Sequence, residues 1–364
     1  MSKSSSPCNP QRIHTLEEIG WTEEFERAFS KYNGPYLPGR VACRQKTVFD
    51  LLIEDGEVTA GLSGAMRKLG RYPAVGDFVV LFSHPEAKTL TIVDILPQKT
   101  RFSRGASGRE SSDHVIAANI DYIFIVTAAG HDFNLRRIER YLVIAHASGA
   151  CPVVVLNKTD LLDDPSILID EIHSISSDIP VIPISAMSGE GVEGLDPYLL
   201  PGKTITLIGS SGVGKSTLIN HLLENQVQET SHIREYDGKG HHTTTVRQLF
   251  ILKSGALMID NPGLREVGIG CASEGIADTF PDILELAEEC RFSDCQHEEE
   301  PGCAVKAAVQ NGLLQAARLD SYQRLMRELA FEQEKAEIGL ARLKKKRWKP
   351  IAKFAKDIQK SKER

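Results

Sequence analysis

Eight consecutive residues in the second half of the chain, GSSGVGKS from Gly209 to Ser216, have the composition and spacing of a loop that binds nucleotide phosphates. The loop follows an apolar, strand-like run and precedes a helical run. In this pattern the glycines let backbone N–H groups surround the phosphates, Lys215 reaches the β- and γ-phosphates, and Ser216 supplies a hydroxyl ligand for Mg²⁺. The predicted phosphate-binding residues are Gly209, Ser210, Ser211, Gly212, Val213, Gly214, Lys215, Ser216 and Thr217.

A second motif, NKTD from Asn157 to Asp160, lies upstream of the loop and directly follows the apolar run PVVVL. The carboxylate of Asp160 can accept hydrogen bonds from N1–H and N2–H₂ of guanine, a donor pair that adenine lacks. Asn157 can hydrogen-bond the base and tie to the phosphate loop, and the stem of Lys158 can lie over the ring. Thr159, the variable position of the motif, is included in the predicted nucleotide-binding set. Taken alone, a four-residue motif is a modest signal, and a solvated turn is the alternative.

The segment PISAMSGEG, which ends at Gly191, supports the guanine interpretation because it follows the next apolar run. A Ser-Ala pair at this place presents a backbone N–H to O6 of guanine. We therefore predict that Ser185 and Ala186 form the second base-binding element. An ATPase is disfavoured, because Asp160 has no matching donor pair on adenine.

Two further patterns predict the elements that respond to the γ-phosphate. Asp260 and Gly263, within LMIDNPG, would respectively hold Mg²⁺ through water and donate an N–H to the γ-phosphate. Thr243 or Thr244, within GHHTTT, would complete the Mg²⁺ shell, and the sequence does not decide between them. Such loops are ordered by nucleotide and released on hydrolysis.

The residue after Gly263 is Leu264, where Ras-type enzymes have the glutamine that orients the attacking water. Leucine cannot orient water, so another group must do so, or hydrolysis waits for a partner. His242 is the candidate catalytic residue, and an exposed loop histidine without a catalytic role is the equal alternative. The predicted catalytic set is His242, Lys215, Thr243, Thr244 and Gly263.

The motifs occur in an unusual order, with the base-reading elements before the phosphate loop. A GTPase normally begins with the phosphate loop and reads the base downstream. The observed order is the usual set cut and rejoined, a circular permutation. Folds tolerate permutation because chain termini and exposed loops can be exchanged without altering the packing.

Three cysteines and one histidine fall within fourteen residues: Cys290, Cys295, His297 and Cys303. Three thiolates and an imidazole are a ligand set of tetrahedral Zn²⁺ in closed structural sites. Since no coordination position stays open, we expect one structural zinc that stabilises a small module. The seven cysteines of the chain are too few and too unevenly spaced for a disulfide scaffold.

The flanking runs predict the elements that position these motifs. From Arg40 to about Arg104, short β-rich runs are separated by Gly, Asp and Pro, with a hairpin signal at Asp55-Gly56. Some five short strands suit a small barrel, an OB-fold. Ten basic against seven acidic residues in this region fit an oligonucleotide-binding face, and a barrel that merely packs on its neighbour fits nearly as well.

Beyond the barrel, apolar runs such as YIFIVTAA alternate with helical runs, which predicts a parallel α/β sheet. After Asp282 the pattern becomes helical, with a long charged helix from Ser321 to Leu343 and Asp320 or Ser321 as its N-cap. The predicted fold is therefore multidomain: an OB-fold β-barrel, an α/β circularly permuted P-loop GTPase, and a mostly helical zinc-binding domain. The predicted segments are an N-terminal extension at 1–35, the barrel at 36–104, the GTPase domain at 105–275, the zinc-binding domain at 276–335 and a basic helix or tail at 336–364.

The net charge of −6 is unevenly distributed along the chain. Arg342 to Arg364 contains eleven basic and two acidic residues, a net charge of +9, so the other residues carry −15. This asymmetry predicts a basic tail that meets nucleic acid or an acidic surface, with a solvated, partly disordered tail as the alternative. No apolar run reaches the ~18 residues of a membrane span, and the N-terminal residues lack the apolar core of an export signal. We therefore expect a cytoplasmic protein that does not contact membranes.

In combination, these features make the chain resemble the ribosome small-subunit-dependent GTPase A family (RsgA, also called YjeQ) from about residue 36 to residue 330. The resemblance rests on the permuted order, the preceding barrel, the Cys-x4-Cys-x-His-x5-Cys module, GHHTTT near the family's Gly-Arg-His-Thr-Thr-Thr, and DNPG near its Asp-Ser-Pro-Gly. His242 matches the histidine that the family places for water activation. His241 departs from the pattern, because the family commonly has arginine there.

The resemblance implies a factor in late maturation of the small ribosomal subunit that binds 16S rRNA near the decoding region. It implies hydrolysis of GTP to GDP and phosphate with Mg²⁺, stimulated by the subunit, and we expect a monomer. Given the acidic body, we expect the barrel, the zinc module and the basic tail to contact rRNA through phosphate neutralisation. Two alternatives remain: a nucleotide-gated binding module in which turnover only resets the state, and a permuted GTPase that acts on the large subunit or another RNA.

Overall fold

The computed structural model of the 364-residue chain describes residues 14–45, 47–54, 56–84, 89–104, 114–227, 247–260 and 273–338. The chain forms two compact units. The first comprises residues 1–102, 115–141 and 148–266, and the second comprises residues 103–114, 142–147 and 267–364. Within the described ranges, no helix combines the length and the apolar character needed to cross a membrane.

The first unit begins with a closed five-stranded barrel. Its strands are hydrogen-bonded in the order β1-β2-β3-β5-β4, and β4 pairs back onto β1. β3 and β5 run parallel, whereas the other barrel pairs are antiparallel. This arrangement confirms the predicted OB-fold. The elements are α1 (Glu23–Phe29), β1 (Tyr36–Gln45), β2 (Val48–Ile53), β3 (Gly56–Leu62), α2 (Gly64–Lys68), β4 (Phe78–His84) and β5 (Thr89–Ile95).

The barrel closes around alternating apolar residues, as a small barrel with a filled interior requires. Phe49 and Leu51 on β2 and Val79 and Leu81 on β4 are buried in one cluster with Ile92 of β5. Ser63 caps α2 by accepting a hydrogen bond from the N–H of Met66. That cap and the burial of Met66 hold α2 against the barrel core.

The same unit continues into the α/β sheet, in the strand order β10-β9-β8-β11-β13-β12. All pairs are parallel except β12–β13, and β12 meets the barrel through one residue pair between Cys43 and Gln248. Two short strands, β6 and β7, form a separate sheet. The elements are β6 (Arg101–Arg104), β7 (His114–Ala118), β8 (Tyr122–Ala128), α3 (Leu135–Ser148), β9 (Cys151–Asn157), α4 (Ser166–His173), β10 (Val181–Pro183), β11 (Thr204–Ile208), α5 (Lys215–Val227), β12 (Gln248–Ile251) and β13 (Leu257–Asp260).

The continuous apolar runs of the sequence form the central strands, because a central strand of a parallel sheet is buried on both faces. Every residue of β11 is buried, as are six of the seven residues of β8. Parallel strands deliver their carboxyl ends to one edge, where open α/β sheets bind ligands. Strands β9, β10, β11 and β13 therefore end at the same edge, and the loops that follow β9, β10 and β11 carry motifs there.

A buried arginine joins the barrel to the α/β sheet. Arg40, on β1, is 1% exposed. Its guanidinium donates to the carbonyl oxygens of Ile19 (2.7 Å), Gly76 (3.2 Å) and Asn119 (3.0 Å) and to the hydroxyl of Thr204 (2.8 Å). Thr204 is the first residue of β11, which leads to the phosphate loop. The barrel is thus bonded directly to the strand that carries the loop.

Apart from the end of β6 and the first residue of β7, the described part of the second unit is helical, and it includes residues 142–147 of α3. Its other helices are α6 (Ser273–Thr279), α7 (Pro281–Glu288), α8 (Ala304–Gln310) and α9 (Ala316–Ile338). Arg318 on α9 makes a bidentate ion pair with Asp282 on α7: its Nε is 2.6 Å from Oδ2 and its Nη2 is 2.8 Å from Oδ1. Nη2 also donates to the carbonyl oxygen of Thr279. The side chain lies 4.8 Å from the ring centroid of Phe280.

The predicted start of the last helix, at Ser321 with Asp320 or Ser321 as N-cap, was wrong. α9 begins at Ala316, and Arg318 in its first turn is buried through its contacts with α7. Tertiary packing extends the helix beyond the local capping signal. The predicted end of this helix at Leu343, the N-terminal extension before residue 14 and the basic tail lie outside the described residues.

Replacing Arg40 tests the junction. We expect Arg40→Met to lower the free energy of unfolding of the first unit by about 3 kcal/mol or more, because buried carbonyl oxygens lose their donor. Urea unfolding followed by tryptophan fluorescence measures this, since Trp21 packs on Phe78, the ring beneath the Arg40 guanidinium. The control is Arg71→Met, which removes a half-exposed ion pair with Asp94 and should cost under about 1 kcal/mol. Equal unfolding midpoints for the two variants would contradict the prediction.

Candidate functional site

The phosphate loop has glycine where the backbone and its neighbours leave no room for a side chain. Gly209 has φ of +148°, and a Cβ there would lie 2.3 Å from the carbonyl oxygen of Val126. Gly214 has φ of +97°, and a Cβ there would lie 2.2 Å from Nδ2 of Asn157. The loop therefore takes its cradle shape against β8 and the end of β9.

Asn157 joins the loop to both base-reading segments. It is the last residue of β9, and its side chain is buried. Its Nδ2 donates to the carbonyl oxygen of Val213 in the loop at 2.8 Å. Its Oδ1 accepts from the N–H of Ala186 at 2.9 Å. One side chain thus fixes the distance between the phosphate loop and the Ser-Ala turn.

The NKTD segment turns sharply after the strand. Lys158 has φ of +64°, and Thr159–Leu161 form one turn of 3₁₀ helix. The N–H of Thr159 donates to the carbonyl oxygen of Ile184, which ties this turn to the chain just before Ser185. The Asp160 side chain is exposed at the edge of the sheet. It can accept a ligand's donors without breaking a contact of the fold.

The Ser-Ala turn is held by its own hydrogen bonds. The N–H of buried Ser185 donates to the carbonyl oxygen of Glu190 at 2.8 Å, and its hydroxyl accepts from the N–H of Ser188 at 3.3 Å. Gly191 has φ of +76°, and a Cβ there would lie 2.4 Å from the carbonyl oxygen of Pro183. Ser185 thus shapes the turn, while Ala186 is positioned by Asn157.

Two cations lie at the phosphate loop. The ammonium of Lys215, the first residue of α5, donates to the carbonyl oxygens of Gly209 and Ser210. Ser216 and Thr217 follow in the first turn, where the helix dipole favours an anion. The second cation is Arg137 on α3, whose Nη1 donates to Oγ of Ser210 at 2.8 Å. Sequence reasoning missed Arg137, because it belongs to no motif and only the fold brings it to the loop.

Asp260 ends β13, the parallel neighbour of β11, with Thr206 paired to Ile259. The register therefore brings Asp260 to the edge from which the phosphate loop departs. The other predicted switch and catalytic residues, His242, Thr243, Thr244 and Gly263, lie outside the described residues, as do His241 and Leu264.

The four cysteine and histidine residues of the second unit converge. Their ligand atoms all lie within 4.8 Å of one another. Nδ1 of His297 is 3.6 Å from Sγ of Cys290 and 3.4 Å from Sγ of Cys303, and these two sulfurs are 3.9 Å apart. A tetrahedral zinc with Zn–S bonds of about 2.3 Å separates its sulfur ligands by about 3.8 Å. The spacing fits such an ion.

The protonation of the cluster also suits a cation. Burial and the neighbouring thiols of Cys303 and Cys290 raise the pKa of Cys295 to about 11, whereas, against the effect of burial, hydrogen bonds from the backbone N–H groups of Val305 and Ala304 lower the pKa of Cys290. A cation between the sulfurs would favour their thiolate forms. Burial lowers the pKa of His297, which favours the neutral imidazole that binds metals. The carbonyl of His297 accepts from Nε2 of Gln323 on α9 at 2.8 Å, which orients the histidine backbone.

Comparison with known proteins gives the same assignment. A model of the RsgA GTPase family matches residues 95–270 of the chain. The small ribosomal subunit biogenesis GTPase RsgA of Methanosarcina acetivorans is 54% identical over 333 residues, covering 92% of this chain and 90% of that protein. The chain belongs to the RsgA GTPase family.

Two solved structures of similar proteins agree with the architecture. YjeQ from Thermotoga maritima has a TM-score of 0.61 at 28% identity, covering 81% of this chain and 99% of that chain. YloQ, a circularly permuted GTPase, has a TM-score of 0.60 at 25% identity, covering 81% and 95%. As a member of the RsgA GTPase family, the chain is a GTP-hydrolysing enzyme with a circularly permuted fold, as the order of its motifs predicts.

The close approach of Gly214 and Asn157 yields a test of the cradle in this RsgA-family protein. We expect Gly214→Ala to weaken binding of GTP and GDP by roughly tenfold or more, because the new Cβ displaces Asn157 and with it both bonds of that side chain. Fluorescent nucleotide titration measures the affinity. The control is Gly130→Ala, which has a similar φ of +91° but open space around the new Cβ. Equal losses in the two variants would mean that backbone strain, and not contact with Asn157, is responsible.

Proposed function

We propose that this chain is a GTPase of small ribosomal subunit assembly, which hydrolyses GTP to GDP and phosphate with turnover stimulated by the subunit. Binding of a guanine nucleotide is supported mainly by the Asn157 side chain, which forms hydrogen bonds to both the phosphate loop and the Ser-Ala turn. The assembly part is supported by the Methanosarcina acetivorans relative, which is named for small ribosomal subunit biogenesis.

Each motif residue has a role in this proposal. Asp160 accepts from the guanine base, Lys158 covers the ring, and the N–H of Ala186 donates to O6. The residues from Gly209 to Thr217 surround the phosphates, and Lys215 exchanges its loop carbonyls for phosphate oxygens. Exposed Asp160 and the glycine cradle support this arrangement.

Mg²⁺ prefers hard oxygen ligands, and the chain supplies them at the carboxyl edge of the sheet. The Ser216 hydroxyl, the Asp260 carboxylate acting through water, and Thr243 or Thr244 would hold the ion. Bound Mg²⁺ would neutralise charge on the β- and γ-phosphates. Gly263 donates its N–H to the γ-phosphate, and His242 is the proposed group that orients the attacking water.

The cluster of Cys290, Cys295, His297 and Cys303 holds one structural Zn²⁺ in this proposal, and the interatomic distances support it.

The barrel, the zinc-binding unit and the basic tail contact 16S rRNA phosphates. The protein acts in the cytoplasm as a monomer. In this proposal the N-terminal extension ends at residue 35, the barrel at residue 104, the GTPase domain at residue 275 and the zinc-binding domain at residue 335.

Leu264 favours a second candidate function, a nucleotide-gated binding module in which GTP occupancy controls attachment to the subunit and turnover resets it. The two candidates differ in how turnover responds to the partner. Stimulation that saturates with the partner supports the first.

The deciding experiment is GTP turnover by the purified protein alone, with small ribosomal subunits, and with large subunits. We expect small subunits to raise kcat on the order of tenfold or more and large subunits to have no effect, because a partner must complete a site that lacks the water-orienting glutamine. Tight GTP binding without stimulation by either subunit would contradict the assembly role. Equal stimulation by large subunits would favour another RNA.

Asp160→Asn serves as the specificity control for that experiment. Asparagine can donate to the C2 carbonyl of xanthine but cannot accept both guanine donors. We expect the variant to lose GTP turnover and to recover turnover with XTP, while Asp163→Asn, a nearby exposed aspartate, retains GTP as its substrate. Unchanged GTP affinity in Asp160→Asn would refute the base-reading role.

Metal analysis tests the zinc proposal. We expect about one zinc per purified chain, and Cys295→Ser should lose it together with several degrees of thermal stability in the second unit. The matched control is Cys151→Ser, an exposed thiol outside the cluster, which should keep its zinc. Wild-type protein that carries no zinc and resists chelators unchanged would refute the site.

A further inference from the structure

Arg137 reaches the phosphate loop from an element that carries none of the nucleotide motifs. It lies in the first turn of α3, where its N–H donates to the side-chain oxygen of Asn134. Its Nη1 donates to Oγ of Ser210 at 2.8 Å and to Oδ1 of Asp132 at 3.1 Å. The side chain is 37% exposed, so the guanidinium lies at the surface beside the loop.

Ser210 is therefore held from two sides by cations. The Lys215 ammonium donates to its carbonyl oxygen, and the Arg137 guanidinium donates to its hydroxyl. To reach a β- or γ-phosphate, Lys215 must release the loop carbonyls. Arg137 belongs to no nucleotide motif, and its bond to the Ser210 hydroxyl does not involve the carbonyl oxygens that Lys215 contacts.

We propose that Arg137 is a positioning residue for the phosphate loop, which anchors the loop through Ser210 and adds positive charge beside the bound phosphates. The inference rests on the proposed nucleotide site and names an additional residue that the site depends on. Asp132 orients the guanidinium through its ion pair and offsets part of the charge.

The charge of Arg137 distinguishes this role from a merely structural one. Asp132 and Arg137 are bonded to each other, so a structural network would lose nucleotide affinity when either member is changed. If the positive charge of Arg137 favours phosphate, the two substitutions should change nucleotide affinity in opposite directions. Neutralising Arg137 removes the favourable charge, whereas neutralising Asp132 removes the negative charge that partly offsets it. Salt weakens interactions between exposed charges, so the advantage of the native arginine should shrink at high ionic strength.

The test is titration of fluorescent GDP and a GTP analogue into the full-length chain at low and high salt. We expect Arg137→Gln to weaken both affinities by roughly fivefold at low salt, with a smaller loss at high salt. Asp132→Asn should leave affinity unchanged or tighter, since the amide oxygen still accepts from Arg137. The matched control is Arg71→Gln, which breaks a surface ion pair with Asp94 in the barrel and should leave affinity unchanged.

A double-mutant cycle checks that the effect passes through Ser210. Ser210→Ala should weaken binding, Ser210→Thr should restore much of it by keeping the hydroxyl, and adding Ser210→Ala to Arg137→Gln should cost little more. Thermal unfolding midpoints should stay close to that of wild type, because both side chains are partly exposed.

Wild-type affinity in Arg137→Gln, or equal losses in Arg137→Gln and Asp132→Asn, would overturn the inference while leaving the proposed function intact. If the wild-type chain itself bound neither nucleotide, the proposed function and this inference would both be overturned.

Discussion

The guanidinium of Arg40 is the interaction on which the first unit depends. Three backbone carbonyls and one hydroxyl from separate segments of the chain converge on it. Burial lowers the pKa of Arg40 to about 10, so it still carries its charge at neutral pH. Its direct hydrogen-bond partners are mostly peptide dipoles, and the nearby carboxylates of Asp121 and Asp77 add favourable charge. Because one partner is Thr204, the barrel sets the position of β11 and through it the start of the phosphate loop.

Given the position of β11, the parallel pairing of its neighbours determines where the other motifs of the site lie. β8, β9, β11 and β13 end at one edge, so motifs that are distant in sequence become neighbours whatever their order along the chain. Asn157 then sets the remaining distance with two hydrogen bonds. This explains why a circular permutation leaves the arrangement intact. A permutation changes which loops are covalently continuous, and it requires no change in the spatial order of the strands.

The sequence predicted the features that have local signals and missed those that depend on distant backbone. Loop glycines, strand periodicity and the cysteine spacing were sufficient for the barrel, the permuted α/β sheet and the metal cluster. Arg40 could not be foreseen, because backbone carbonyls leave no signature and its partner Thr204 is 164 residues away. Arg137 was missed for the same reason, since its partner Ser210 is 73 residues away. The early start of α9 similarly reflects the contact of Arg318 with Asp282.

The second unit combines a loop that carries the Cys/His cluster with helices that are joined by ordinary contacts. The segment between α7 and α8 has no regular helix or strand, and the Glu300 carboxylate accepts from the N–H groups of Gln296, Glu298 and Glu299. Those bonds hold the pKa of Glu300 down to about 2. The helices themselves are joined independently by Arg318, through Asp282 and the Thr279 carbonyl. A metal bound at the cluster would fix the shape of this loop, while the helices are held by the ion pair of Arg318 with the partly exposed carboxylate of Asp282.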